Sequence, residues 1–211
     1  MAIQTVSAQV QSLLAISATT LANIQSDLDT WLNNGYKEIL NILPPYMYDA
    51  IATETNTTDA TSLQNLTTTK VLSVMRMSPS GYKTCRPITS DMRGRIEDED
   101  DLHYATEDDP VWFWGSLGNL TVKPNSSDML IRHINYPTTL DASEDNDVDY
   151  LPDEAEPALV LYVAIKAGEY LLVNEEDMEL LNPVLAHLKD DYTKSVNALN
   201  GISTTQQGAR G

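Results

Sequence analysis

Residues 120–172 contain three segments from which the architecture can be read: LTVKP (120–124), MLIRHINYP (129–137) and YLPDEAEPALVLYVAIKAGEYLL (150–172). The first two are rich in β-branched and apolar residues and close on a proline, which is typical of strands. The third opens with prolines and acidic residues, which favour a helix N-terminus. Its helical part is apolar on almost every side, so this helix needs cover over most of its surface.

A second helix precedes this stretch. Apolar residues recur at every third or fourth position between residues 21 and 43, and the prolines at positions 44 and 45 end the pattern. Ser26 and Asp29 form a possible capping pair, which predicts a break before residue 27. The sequence thus predicts one long amphipathic helix, with a break close to its start.

A last helix follows residue 173. Asn174 is the predicted cap, residues 175–177 supply an acidic first turn, and Gly201 ends the helix. Pro183 is expected to kink it near its start. Its apolar stripe consists of Met178, Leu181, Leu185, Leu188, Tyr192 and Val196.

Strand chemistry fills the middle of the chain. Residues 70–77 and 82–88 predict a hairpin, and a short helix follows to about residue 97. Residues 46–66 are expected to form a loop with one turn of structure near residues 46–51. Residues 111–114 and 120–123 are predicted to form a second hairpin, and residues 129–136 are predicted to add a further strand to the same small antiparallel sheet.

The predicted fold class is therefore α+β: a helical bundle of the N-terminal helix and two C-terminal helices, with a central antiparallel β insertion that projects from it. The predicted boundaries are an N-terminal arm or short helix at 1–20, a helical body at 21–43 and 152–201, a β-rich insertion with loops at 44–151, and a flexible tail at 202–211.

Acidic residues dominate the charge. The chain has 31 acidic and 13 basic residues, and 18 of the acids lie between residues 91 and 156 with only four basic residues. No cluster of Lys and Arg suggests phosphate binding. Residues 91–156 are expected to form a solvated acidic face, or alternatively a surface past which DNA moves without binding.

Signals for secretion, membrane insertion or disulfide formation are missing from the sequence. No run of about twenty apolar residues occurs, the first thirty residues contain no Lys or Arg, and Cys85 is the only cysteine. We therefore expect a protein that stays where it is made, without a membrane or an internal disulfide.

Catalytic motifs are also missing. The sequence contains no nucleophile elbow, P-loop, dinucleotide-binding glycine motif or zinc-protease motif. His103, His133 and His187 show no ligand spacing, and each is expected to have a structural role. We expect neither an enzyme nor a cofactor.

One acidic spacing resembles a calcium loop. Its members match positions 1, 3, 5, 9 and 12 of an EF-hand loop. Tyr150 occupies the position that requires glycine, and a strand rather than a helix precedes the loop, so we expect no metal site. The alternative is an acidic calcium-dependent binding module or small enzyme, with ligands Asp145, Asp147, Asp149, Asp153 and Glu156.

The aromatic run at residues 112–114 is the remaining candidate for a binding surface. Strand alternation puts Trp112 and Trp114 on one face and Phe113 on the other, so we expect the strand to be covered twice, by its own core and by a neighbouring domain or subunit. The helix predicted within residues 150–172 is apolar on almost every side, so it should also contact a neighbouring subunit. The candidate subunit interface is Leu159, Tyr162, Val163, Leu171, Trp112 and Trp114.

The order of four features resembles the head-to-tail adaptor proteins of tailed bacteriophages, also called connector or head-completion proteins. The features are DLDTWLNNGYKEILNILPP (27–45), LTVKP with MLIRHINYPTTLD (129–141), the proline-punctuated apolar helix, and the closing helix. The loops at 46–66 and 97–109 look long for the smallest members of that family.

This resemblance implies a structural virion protein that forms a ring, usually a dodecamer, beneath the portal. Such a ring joins the portal to the tail while DNA passes through it without specific binding. The implied partners are other copies of the chain, the portal protein and tail or tail-adaptor proteins, and the implied location is the virion neck after synthesis in the host cytoplasm. The terminal segments are candidate docking arms, and the alternative assembly role is a tail-completion or tail-terminator ring.

Overall fold

The computed structural model describes residues 5–57, 69–115, 119–125, 128–137, 140–143, 151–174 and 178–201. The chain has helices at both ends and two sheets in the middle, which confirms the predicted α+β class. Short 3-10 helices occur at Pro45–Ala50, Ser90–Met92 and Asp153–Ala155. The other elements are α1 (Val6–Leu14), α2 (Ala18–Asn23), α3 (Gln25–Ile42), β1 (Thr53–Thr57), β2 (Thr69–Ser78), β3 (Gly81–Thr84), β4 (Arg86–Pro87), α4 (Arg93–Ile96), β5 (Val111–Trp114), β6 (Leu120–Lys123), β7 (Met129–Asn135), α5 (Glu156–Asn174) and α6 (Met178–Leu199).

The chain divides into two compact units. A helical unit comprises Met1–Ile51 and Pro137–Gly211, and a β unit comprises Ala52–Tyr136. The β unit is thus narrower than the predicted 44–151. At the first boundary, the buried Tyr48 hydroxyl donates to the Leu40 carbonyl at 3.1 Å, which ties the 3-10 helix to α3.

Helix α5 lies at the centre of the helical unit and packs against α1, α3 and α6. Two glycines permit the close approach. A Cβ on Gly35 of α3 would lie 2.5 Å from Cδ1 of Tyr162, and a Cβ on Gly168 would lie 2.6 Å from Cδ2 of Leu185 in α6. Side chains of α5 fill the interior: Ala158, Leu159, Val160, Val163, Ala164, Ile165, Ala167 and Leu171 are buried.

Residues 6–14 and 18–23 form the two short helices α1 and α2. Thr5 caps α1 by accepting from the Ala8 amide at 3.2 Å, and Ser17 caps α2 by accepting from the Thr20 amide at 3.1 Å. The predicted long helix has a break at Ile24, which lies before residue 27 as predicted, but Ser26 lies inside α3 and does not cap it. The buried Ile24 side chain anchors the junction, which outweighs the local capping signal.

The segment that returns from the β unit is held by two helices. Oδ1 of Asp29 in α3 accepts from the Ala142 amide at 2.9 Å, and the Ser7 amide in α1 donates to the Ala142 carbonyl at 2.9 Å. Ala142 is fully buried. The first turn of α1 thereby gains an acceptor for one of its N–H groups that has no partner within the helix.

The first sheet of the β unit has the order β1-β7-β2-β3, with every pair antiparallel. The β2–β3 hairpin and strand β7 confirm the sequence prediction. The prediction of a loop at residues 46–66 was wrong for Thr53–Thr57, because β1 pairs with β7 along its whole length. Its sequence TETNT carries no apolar residue, and the pairing partner lies far away in the chain.

The second sheet has the order β4-β5-β6. The predicted β5–β6 hairpin is confirmed, but the expectation of one antiparallel sheet was wrong, since β4 pairs with β5 in parallel. The predicted strand at residues 82–88 divides at Cys85, where the chain passes from one sheet to the other. A cluster of buried residues is drawn from both sheets: Val74, Cys85, Leu120, Val122, Met129 and Ile131.

The closing helix α6 runs through Pro183 to Leu199, and Gly201 follows with a φ of 67°, as its predicted role in ending the helix requires. The predicted first turn at 175–177 and the predicted tail at 202–211 lie outside the described residues. Among the helices that are described, none has the length and apolar character needed to cross a bilayer.

Truncation of Leu159 tests whether α5 is buried by its own chain. Leu159 is 1% exposed, so Leu159→Ala should lower the free energy of unfolding of the isolated protein by about 2–5 kcal/mol. Urea denaturation followed by circular dichroism measures the change. The matched control is Val173→Ala on the same helix, which is 84% exposed and should change stability by less than about 0.5 kcal/mol. Equal effects of the two substitutions would contradict the packing described.

Candidate interaction surfaces

The apolar residues predicted at a subunit interface lie mostly in the interior. Leu159, Val163 and Leu171 are at most 2% exposed, because α1, α3 and α6 surround α5. Tyr162 is half-buried at the surface of the same helix. The apolar surface that the sequence assigned to a neighbouring subunit is therefore covered, at these three positions, by helices of the same chain.

A different part of α5 leaves apolar surface uncovered. Tyr170 is 40% exposed and Val173 is 84% exposed, and the ring of Tyr170 lies 5.7 Å from the half-buried ring of Trp31 in α3. We call Trp31, Tyr170 and Val173 the Tyr170 patch. Two ion pairs lie on the same helix surface, where Glu169 binds Lys189 at 2.8 Å and Lys166 at 3.3 Å.

Tyr162 belongs to a more polar cluster formed by three helices. Its ring lies 6.2 Å from that of Tyr192 in α6, and the Tyr192 hydroxyl donates to Glu38 of α3 at 3.4 Å. Burial, followed by the nearby charge of Glu38, raises the pKa of Tyr192 to about 12. The same two causes raise the pKa of Tyr162. Both hydroxyls therefore stay protonated and can donate hydrogen bonds at neutral pH.

The aromatic strand β5 shows the predicted alternation. Trp112 and Trp114 contact each other edge to face with ring centroids 5.8 Å apart, while Phe113 faces the opposite way into a buried cluster with Ile96, Ala105 and Val111. Trp112 packs against the cluster shared by the two sheets. Both faces of β5 thus gain cover inside the β unit, and Trp114 remains 38% exposed.

Cations of the β unit hold the acidic segment 97–109 in place. Five of its carboxylates pair with basic side chains, and the shortest contacts are Arg95 with Asp101 at 2.8 Å and Arg86 with Asp109 at 2.9 Å. The Arg95 hydrogen bond, with help from the His103 amide, lowers the pKa of Asp101 well below its usual range. The remaining pairs are Lys123–Glu97, Arg76–Glu107 and Lys83–Asp108.

The candidate calcium ligands and the histidines do not converge where the structure describes them. Within those ranges no group of three or more His, Cys, Asp or Glu is arranged to hold a metal ion. Asp153 lies in a 3-10 helix and Glu156 begins α5, whereas Asp145, Asp147 and Asp149 lie outside the described residues. The histidines have separate local partners: His103 contacts Asp101, His133 contacts Thr55, and His187 contacts Asp191.

The sequence reading did not identify the Tyr170 patch or the ion pairs of the acidic segment. Trp31 and Tyr170 each belong to a helix with a recognised apolar stripe, but their neighbourhood depends on how α3 and α5 cross. Four of the five ion pairs join residues that are more than twenty positions apart in the chain, and the fifth joins Arg95 to Asp101. The sequence contained one signal for these ion pairs: three consecutive acids at 107–109 follow basic residues at positions 76, 83 and 86.

The helical unit buries its own core and still exposes aromatic side chains such as Tyr170. Exposed aromatic side chains of this kind are typical of surfaces that bind other proteins. Comparison with known families agrees. The model of the SU10 adaptor protein family matches residues 1–210, and the chain belongs to that family, which comprises phage head-tail adaptors. Among curated proteins, no significant match to the chain is found.

Family membership confirms the predicted class of protein, a structural adaptor of a tailed phage. The chain is a structural phage adaptor, its partners are other phage head and tail proteins, and its place is the head-tail junction of the virion. The fold agrees with this role, since the helical unit supplies its own core and leaves aromatic surface free for contacts.

The lone cysteine tests the description of the shared core. Cys85 is 2% exposed, and burial raises the pKa of its thiol to about 12. At about pH 8 it should therefore react with a disulfide reagent only as the β unit opens, much more slowly than the same thiol in denaturant. Stopped-flow absorbance gives both rates. A native rate equal to the denatured rate would contradict burial of Cys85.

Proposed function

We propose that the chain forms a ring in the phage neck, beneath the portal, and that this ring joins the portal to the tail while DNA passes through its centre. The observation that carries the proposal is the family match over residues 1–210. The resemblance to head-to-tail adaptors implies a ring, usually a dodecamer. The partners proposed are therefore further copies of the chain, the portal protein and tail proteins.

The Tyr170 patch supports a contact between protein subunits. Closed rings use head-to-tail interfaces, in which two different surfaces of each subunit meet. An apolar patch at the end of a well-packed helix suits one side of such an interface, because aromatic residues are enriched there. Tyr162 and Trp114 keep exposed surface and remain proposed interface residues. Trp112 remains with them because its ring contacts that of Trp114. Leu159, Val163 and Leu171 contribute through the core that positions the patch.

Charge supports the proposed passage of DNA. The net charge of −18 makes the chain repel phosphates at long range. A protein that surrounds moving DNA gains from weak repulsion, since basic clusters would bind the backbone. We infer that DNA passes without specific contacts.

Docking to purified portal protein from the same phage tests the proposal. Light scattering and electron microscopy of the mixture should show a ring of this chain on one end of the portal. A chain that stays monomeric and never joins the portal would overturn it. Docking to tail tube instead of portal would favour the alternative, a tail-completion or tail-terminator ring.

A substitution in the Tyr170 patch should weaken assembly without unfolding the subunit. Val173→Asp adds a charge at a position that is 84% exposed in the single chain, so it should reduce ring formation on the portal at least about tenfold, the loss expected for burying an unpaired charge. The fraction of portals with rings is counted by electron microscopy.

The control is Ala198→Asp, a similar change at an exposed position of α6 outside the patch. It should leave assembly unchanged. Equal ring formation by Val173→Asp and the unmodified chain would remove the Tyr170 patch from the proposed interface.

A further inference from the structure

Three consecutive acids in the β unit face three cations from consecutive strands. Glu107 lies 3.6 Å from Nη2 of Arg76, and Asp108 lies 3.6 Å from Nζ of Lys83. Asp109 lies 2.9 Å from Nη2 of Arg86. We call residues 107–109 the acidic strap, and Arg76, Lys83 and Arg86 the basic triad.

Strand pairing brings the basic triad together. Arg76 of β2 and Lys83 of β3 are directly opposite in the antiparallel register, so their side chains lie on the same face of the sheet. Arg86 in β4 is fixed beside the strap, since its amide donates to the Pro110 carbonyl at 2.8 Å. The three positive charges therefore form one group, although they are separated in sequence.

Arg76 shows that this group is built to meet an anion. Its side chain is 5% exposed, and its Nε donates to the Pro124 carbonyl at 3.1 Å. Nη1 is buried and has no hydrogen-bond partner within the described residues. A buried guanidinium is costly unless an opposite charge lies close, and Glu107 provides that charge from a position that is itself 62% exposed.

The remaining cations of the triad lie nearer the solvent. The side chains of Lys83 and Arg86 are each 38% exposed, and those of Asp108 and Asp109 are 85% and 56% exposed. Exposed pairs of this kind contribute little to stability. Their main effect is electrostatic, because they cancel a local concentration of positive charge that would otherwise attract phosphates.

We infer that the basic triad is a latent site for the phosphodiester backbone of DNA, which the acidic strap keeps closed by supplying carboxylates in place of phosphates. The strap would prevent the β unit from adhering to nucleic acid. The benefit of that shielding rests on the proposed passage of DNA, whereas the site itself is testable on the isolated chain without a ring or a portal.

Neutralising the strap tests the inference. The triple variant Glu107→Gln, Asp108→Asn, Asp109→Asn should bind a fluorescent DNA duplex at low salt at least about tenfold more tightly than the unmodified chain, measured by anisotropy. Because two or three phosphates would be contacted, the logarithm of affinity should fall with the logarithm of salt with a slope of about −2. Adding Lys83→Gln and Arg86→Gln should remove the gain.

A matched variant separates this site from a general charge effect. Asp98→Asn, Glu99→Gln, Asp100→Asn removes the same charge from three consecutive exposed acids, for which the described part of the chain shows no ion pair. It should not gain DNA binding. An equal gain in both triple variants, or no gain in the strap variant, would overturn the inference.

Two further arms complete the test. Should the strap variant lose its circular dichroism spectrum, the single variant Asp108→Asn, at an 85% exposed side chain, replaces it and should show a smaller gain. Competition with polyglutamate identifies the ligand class. Binding of the strap variant to polyglutamate but not to DNA would overturn the nucleic-acid site in favour of an acidic peptide site.

Discussion

Burial of α5 is the constraint on which the rest of the structure depends. A helix with so little polar surface is stable only when other helices cover it on most sides, and α1, α3 and α6 do so within one chain. Gly35 and Gly168 permit the close approach, and Asp29 and Ser7 fasten the returning segment at Ala142. The helical unit therefore has a buried core without any partner, and the contacts that we propose with other virion proteins use exposed surfaces such as the Tyr170 patch.

Many acidic side chains of the β unit are paired with basic side chains, and are not only exposed to solvent. The acidic segment 97–109 holds five cations of the β unit, so part of the negative charge neutralises positive charge that the sheets bring together. The combination of overall repulsion and local neutralisation is what the proposed passage of DNA through a structural adaptor would require.

Periodicity predicted the elements that carry a strong local signal, including α5, α6, both hairpins and β7. Periodicity failed to predict elements whose formation depends on contacts with residues far away in the chain. Strand β1 has the polar sequence TETNT and exists through its pairing with β7, and the separation of β3 from β4 at Cys85 depends on a second sheet. Helix α1 had a signal, since Val6, Val10 and Leu14 recur at every fourth position, but a short helix is stable only against the α5 face it covers. The Tyr170 patch and the basic triad required helix crossing and strand register, which no local pattern supplies.

The central claim is that each subunit completes the core around α5 by itself and meets its neighbours through surface that is exposed in the single chain. Hydrogen exchange of the α5 amides in the isolated monomer, compared with the assembly on the portal, tests this most directly. The account predicts strong protection of the amides around Leu159 and Val163 in the monomer, with little change on assembly, and added protection near Tyr170 and Val173. Rapid exchange throughout α5 in the monomer, with protection only in the assembly, would contradict it.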